Sequence, residues 1–263
     1  MSDRPRLEAV LLDAGGTLVR LDFEWMTGAL RSLGHDVDVA RLRRAEIEGR
    51  RRFDASRGRV PAAGEPPSAL GASGDTEAYF GGMLEAAGVP RAGLPVALER
   101  FAARHAEKGL WECRMEGARD ALDALGRLGL RRAVVSNSDG RAEEHLANCG
   151  VREGLEFVVD SQLVGVEKPD PRIFALALDR LGVPAERALF VGDIRSVDEA
   201  GAGAAGVHFV LLDPYGDYAA PATPAVPHIT DVPGWVERRF EIVAAPRRPG
   251  DPAARADRGT DAS

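Results

Sequence analysis

Apolar positions along the chain gather into short, nearly continuous runs: Leu7–Leu12 (LEAVLL), Arg132–Ser136 (RAVVS), Phe157–Asp160 (FVVD), Ala188–Gly192 (ALFVG) and Val207–Leu212 (VHFVLL). A strand buried on both faces needs no polar alternation, so such runs predict strands of a parallel sheet. Between them the apolar positions recur at helical spacing over Gly117–Leu128, Arg141–Asn148, Pro171–Leu181 and Val197–Ala205. Strands alternating with helices predict βαβ units. Right-handed crossovers then make an α/β fold, a Rossmann-like doubly wound parallel sheet.

From Asp22 to Leu110 the rhythm breaks. Helical spacing runs over Glu24–Leu33, Val39–Ala55, Thr76–Ala87 and Pro95–Lys108, with no strand pattern between them. Residues 22–110 are therefore expected to form an inserted α-helical cap domain, with residues 1–21 and 111–243 forming the core. Arg57–Gly74 is rich in Gly, Pro, Ala and Ser and is expected to be a mobile loop. Residues 244–263 offer little to bury and are expected to be disordered. No internal repeat is visible.

Composition narrows the class of partner. A chain of 263 residues suits a core with a smaller accessory domain. A net charge of −7 and a pI of about 5.4 argue against nucleic acid as the main partner. No stretch approaches the roughly 18 apolar residues of a membrane span. The two cysteines, Cys113 and Cys149, lack metal-site spacing and make no disulfide scaffold, which fits a reducing compartment. A cytoplasmic monomer or homodimer acting on a small molecule is expected. Lysine occurs only at Lys108 and Lys168 in an arginine-dominated chain, which draws attention to both.

Four short elements carry the chemistry: Asp13-Ala14-Gly15-Gly16-Thr17, Ser136-Asn137-Ser138, Lys168-Pro169, and Gly192-Asp193 with Asp198 five residues on. Asp13, Ser136 and Asp193 each fall at the carboxyl end of a predicted strand, the rim where open α/β sheets bind ligands. Two acids, a hydroxyl and a lysine on one rim suit a divalent cation and a phosphate. Mg²⁺ in particular prefers a few carboxylates, phosphate oxygens and water. A carboxylate held there can act as a nucleophile.

In this order the four elements resemble the haloacid dehalogenase superfamily, in the subfamily whose helical cap follows the first strand. The resemblance covers about Leu7 to Leu212. It implies that Asp13 is nucleophile and Mg²⁺ ligand, that the Gly15 carbonyl is a further ligand, and that Thr17 braces the loop through its hydroxyl. It implies that Ser136 and Asn137 bind phosphate, with Lys168 as the cation of the third motif. Asp193 is then an acidic Mg²⁺ ligand and Asp198 the second acid of the metal site. The expected function is Mg²⁺-dependent phosphatase action on a small phosphorylated metabolite.

One position departs from the pattern. Phosphatases of this family carry an aspartate two residues after the nucleophile, which protonates the leaving oxygen and then activates water; here it is Gly15. Losing such a group typically costs roughly 10²–10⁴ in rate. Three explanations compete: an acid borrowed from Asp22, Glu24, His35 or the substrate; cleavage of a C–X or C–P bond instead; or a weak or non-catalytic phospho-ligand binder. If Gly15 limits activity on poor leaving groups, Gly15→Asp should raise turnover of alkyl phosphates. The run Arg50-Arg51-Arg52 is expected on a solvated helix face. Trp25, Tyr79, Phe80 and Trp111 are expected to pack the cap. The five histidines show no metal spacing and, apart from His35, are expected to be incidental.

Overall fold

The computed structural model describes residues 4–57 and 76–244. Residues 58–75 and 245–263, where the sequence predicts a mobile loop and a disordered tail, lie outside the described residues. The chain runs through β1 (Arg6–Leu7), β2 (Ala9–Leu12) and β3 (Val19–Arg20) into four helices. These are α1 (Phe23–Ser32), α2 (Val39–Ser56), α3 (Thr76–Ala86) and α4 (Leu94–Glu107). After them come β4 (Cys113–Arg114), α5 (Ala118–Arg127), β5 (Arg131–Ser136) and α6 (Ala142–Asn148). Next are β6 (Val158–Asp160), α7 (Ser161–Val164), α8 (Pro171–Leu181) and β7 (Ala188–Gly192). A π-helical turn (Arg195–Glu199) runs into α9 (Ala200–Ala205), then β8 (His208–Leu212), β9 (Ala225–Val226), α10 (Val232–Arg239) and β10 (Glu241–Ile242).

The main sheet has strand order β6-β5-β2-β7-β8-β9, and every pairing is parallel. Its central strands read as apolar runs because both faces are covered. Val10, Leu12, Val134, Leu189 and Val191 pack with α5, α6 and α10. Ala9, Leu11, Ala133, Val135 and Phe190 pack with α8 and α9 on the other face. The fold is thus a doubly wound α/β sheet. The chain builds outward from β2 to β5 and β6, then returns to place β7 on the other side of β2. That reversal opens a crevice at the carboxyl ends of β2, β5 and β7.

The four helices after β3 build a separate apolar cluster around Leu30, Phe53, Tyr79, Phe80, Met83 and Phe101. Local chemistry starts two of them: Asp22 accepts the Trp25 amide at the head of α1, and Asp38 accepts that of Arg41 at the head of α2. The chain enters and leaves this helical segment through the antiparallel pair β3–β4, fastened by Asp22 N–H to the Leu110 carbonyl at 2.9 Å. Among the described residues, no helix is long and apolar enough to cross a membrane.

Candidate active site

The loop after β2 turns back at once. The amides of Leu18 and Val19 both donate to the Ala14 carbonyl, at 2.8 and 2.9 Å. Gly16 sits at a φ of 73°, and a Cβ there would fall 2.1 Å from Asp193 Oδ2. Glycine is therefore required twice over, by backbone conformation and by the close approach of Asp193. The turn leaves Asp13 at the mouth of the crevice, beside the ends of β5 and β7.

There the sequence-predicted residues converge. Lys168 is buried, and its Nζ donates to Asp13 Oδ1 at 2.6 Å and to Asp198 Oδ1 at 2.7 Å. Asp198 Oδ2 accepts the amides of Asp193 and Ile194, both at 2.9 Å, which fixes the π-helical turn after β7. Ser136 is buried at the end of β5 and lines the same cavity as Asp13, Gly15, Asn137, Lys168, Asp193 and Asp198. The Asn137 side chain is engaged with Lys168. Its Nδ2 donates to the Lys168 carbonyl at 2.9 Å and its Oδ1 accepts the Lys168 amide at 2.8 Å. With both ends of its amide engaged, the Asn137 side chain positions Lys168. Thr17 is fully buried, its hydroxyl meets no partner among the described residues, and it does not line this cavity.

One oxygen from each of Asp13, Asp193 and Asp198 lies within 4.8 Å of the others, and all three residues are buried. Burial pushes the Asp13 carboxyl up to about 6, opposed by Lys168 and reinforced by the charge of Asp198. Burial also holds Asp193 well above the usual carboxylate range, against the pull of Arg50. Three carboxyl groups thus crowd together beside the cations Lys168 and Arg50. A hard divalent cation fits this set of oxygen donors.

Arg50 corrects the expectation of a solvated arginine run. It is buried, and its Nη2 lies 3.2 Å from Asp193 Oδ2 and 3.6 Å from Glu46 Oε2. Its Nη1 donates to the Leu212 carbonyl at 3.3 Å. Only Arg51 and Arg52 lie at the surface, with side chains 43% and 41% exposed. The same helix, α2, holds the core elsewhere. Asp54 Oδ2 accepts the Tyr218 hydroxyl at 2.6 Å, Asp54 Oδ1 accepts the Ser196 amide at 3.0 Å, and Arg51 donates to the Asp217 carbonyl at 2.6 Å.

The cavity measures about 70 Å³ and is walled on the side of the helical segment by Phe53, Tyr79, Leu110 and Trp111. On the same measure one water needs about 10–15 Å³, so this arrangement admits a compact ligand. Trp111 covers Gly15: a Cβ at Gly15 would lie 3.0 Å from Trp111 Nε1. Gly15→Asp is therefore expected to cost about 1–3 kcal/mol of stability by overpacking against the indole, read by urea unfolding. The gain in alkyl-phosphate turnover expected from the sequence then requires the Trp111 indole to yield by a few tenths of an ångström. The borrowed acids suggested by the sequence are elsewhere. Asp22 caps α1, Glu24 pairs with Arg20 at 3.2 Å, and His35 lies against Gly93; none of the three lines this cavity. His105 and His145, to which the sequence assigned no role, do line it.

With this fold and this rim of residues, the chain belongs to the haloacid dehalogenase-like hydrolase family, whose model matches residues 7–206. It is 32% identical over 207 residues to the phosphoglycolate phosphatase of Rhodospirillum rubrum, covering 78% of this chain and 79% of that protein. It is 45% identical over 98 residues to the haloacid dehalogenase-like hydrolase domain-containing protein 3 of Mus musculus, covering 37% of this chain and 39% of that protein. The match to the mouse protein therefore spans well under half of its length. The fold superposes on the L-2-haloacid dehalogenase from Xanthobacter autotrophicus with a TM-score of 0.56 at 20% identity, covering 88% of this chain and 98% of that one, a likeness of fold.

Proposed function

We propose that the chain is a Mg²⁺-dependent phosphatase of small phosphorylated metabolites that works through an aspartyl-phosphate on Asp13. The observation that carries this reading is the buried cluster of Asp13, Asp193 and Asp198 around the Lys168 ammonium. Such a set accommodates an anionic phosphoryl group only when further positive charge is present. Asp13, Asp193 and the Gly15 carbonyl would hold Mg²⁺, which would supply charge stabilisation at the phosphoryl oxygens. The Asp13 carboxylate attacks phosphorus. Lys168 balances the charge of the transferring group, and the Ser136 hydroxyl donates to one of its oxygens. Asp198 and Asn137 hold Lys168 in place. Residues 22–110 act as the cap, whose apolar wall excludes water and limits substrate size. The similarity to a protein named a phosphoglycolate phosphatase supports a small phosphorylated acid or alcohol as substrate.

Phosphate release from p-nitrophenyl phosphate tests this, because its leaving group scarcely needs protonation. Release is expected to cease after exhaustive EDTA treatment and to return on adding Mg²⁺. Equal release in EDTA would remove the metal from the reading. No release in excess Mg²⁺ would count against the phosphatase itself.

A further inference from the structure

Gly15 leaves the site without the carboxylate that would protonate a leaving oxygen, and the cavity offers another group. His105, near the end of α4, lines the same cavity as Asp13, with its side chain 24% exposed. Its Nδ1 is buried and meets no hydrogen-bond partner among the described residues. Its Nε2 lies 3.4 Å from Asp139 Oδ2. Asp139 is fixed in turn by Arg141, whose Nε donates to Asp139 Oδ2 at 3.0 Å and whose Nη2 donates to the His105 carbonyl at 2.9 Å. The imidazole packs edge-on to Trp111, the residue covering Gly15, at 6.3 Å between ring centroids.

A buried nitrogen without a partner is costly, about 1–3 kcal/mol, unless a ligand completes it. A carboxylate on the opposite nitrogen orients the ring. The contact with His105, and after it that with Arg141, holds the Asp139 carboxyl well below its usual range.

We propose that His105, oriented by Asp139, is the acid–base residue of this site in place of the missing aspartate. The assignment rests on the phosphatase reading above. As imidazolium, His105 gives its Nδ1 proton to the bridging oxygen as the bond from phosphorus to the leaving group breaks and the Asp13–phosphorus bond forms. The neutral ring then takes a proton from the water that attacks phosphorus in the aspartyl-phosphate. Phosphate leaves, the Asp13 carboxylate is restored, and the imidazolium is regenerated.

Several charged groups surround the ring. Asp139 and Arg141 follow β5. His145 lies on the same cavity wall, 2.7 Å from Glu112, which is 3.5 Å from Lys108. Asp13, Lys168, Asp193 and Asp198 lie on the core side. On its own helix, Arg104 turns toward Asp22 at 3.8 Å.

The test compares wild type with His105→Gln, in Mg²⁺, on p-nitrophenyl phosphate and on glycerol 2-phosphate. The alkyl ester is expected to lose about 10²-fold or more in kcat, whereas the aryl ester changes by less than about tenfold. The imidazole limb of the wild-type pH profile on the alkyl ester should disappear. Asp139→Asn keeps the ring but weakens its orientation, so kcat on the alkyl ester should fall while that on the aryl ester holds, a split that a purely structural role would not give. Thermal melting of both variants separates this from loss of fold. Equal losses on the two esters overturn the assignment, as does an unchanged alkyl rate and pH profile in His105→Gln. Wild-type turnover of the aryl ester without the alkyl ester overturns it as well and leaves the phosphatase reading standing. Absence of wild-type turnover on both removes that reading and this proposal together.

Discussion

Asp13→Asn is expected to lower phosphate release by roughly 10⁴-fold or more, and to make the metal-free protein more stable at pH 8. The loss of rate follows from the proposed chemistry, since the amide cannot form the aspartyl-phosphate. The gain in stability follows from burial. The Asp13 carboxyl is pushed from 3.8 up to about 6, with desolvation as the largest cause. A folded-state pKa above the unfolded one means stability that is fully present below about pH 4 and is lost as pH rises through 6. A shift of this size corresponds to something on the order of 3 kcal/mol at pH 8. Asparagine keeps the shape and removes the charge. Breaking a buried pair is usually destabilising, but Lys168 retains Asp198 at 2.7 Å, so its ammonium is not left unpaired. Melting curves in EDTA at pH 8 and pH 5 check this. The variant should melt higher at pH 8, with the gap closing toward pH 5. A variant less stable at pH 8 would mean that the contact between Asp13 and Lys168 outweighs the cost of burying the carboxylate. With saturating Mg²⁺ the order should reverse, because wild type then has a cation for its third carboxylate.

The parts legible in the sequence are those where a physical constraint acts over consecutive residues. Both faces of the sheet are covered, so β2 and β7 read as apolar runs and β5 and β8 as nearly continuous ones, and Ala188–Gly192 ends where predicted. Asp170 and Pro171 open α8 and Gly182 closes it in a left-handed conformation, which sets its limits at Pro171–Leu181. Strands β1, β3, β4, β9 and β10 are two residues each, too short to show a period. Helix α10, with Pro233 and Gly234 in its first turn, carries breakers that mask its apolar stripe. The convergence of Asp13, Ser136 and Asp193 was legible because the carboxyl ends of parallel strands share one rim. What was not legible depends on contacts between distant segments. Arg50, Arg51 and Arg52 differ in position by about 100° per residue around α2, so one of three identical side chains faces inward while the others face solvent. Its destination, a carboxylate 143 positions away, leaves no local sign. His105 likewise gains meaning only from Asp139, and Gly15 only from the indole of Trp111 above it.

Arg50→Met is expected to weaken the metal-free protein and to tighten its hold on Mg²⁺. Arg50 is buried and supplies the guanidinium nearest Asp193, at 3.2 Å. Burial disfavours its charge, yet Asp193 and Glu46 overcome that and raise its pKa. Methionine fills much of the same volume but leaves Asp193 without a counter-charge. Breaking a buried pair in this way costs about 3–5 kcal/mol, which lowers the melting temperature by something on the order of 10 °C for a chain of this size. The same removal frees a carboxylate oxygen that a cation would use. In the proposed metal site, guanidinium and cation would compete for Asp193, so removing the first would favour the second. Mg²⁺ should therefore bind about tenfold tighter or more by titration calorimetry, an effect equivalent to 1.4 kcal/mol. It should also recover most of the lost melting temperature, since ligand binding stabilises the state it binds. Glu46→Gln provides the contrast. It removes the more distant carboxylate at 3.6 Å and leaves the pair of Arg50 with Asp193, so Mg²⁺ affinity should change little. Unchanged or weaker Mg²⁺ binding in Arg50→Met would instead make the guanidinium a brace that aims Asp193 at the cation.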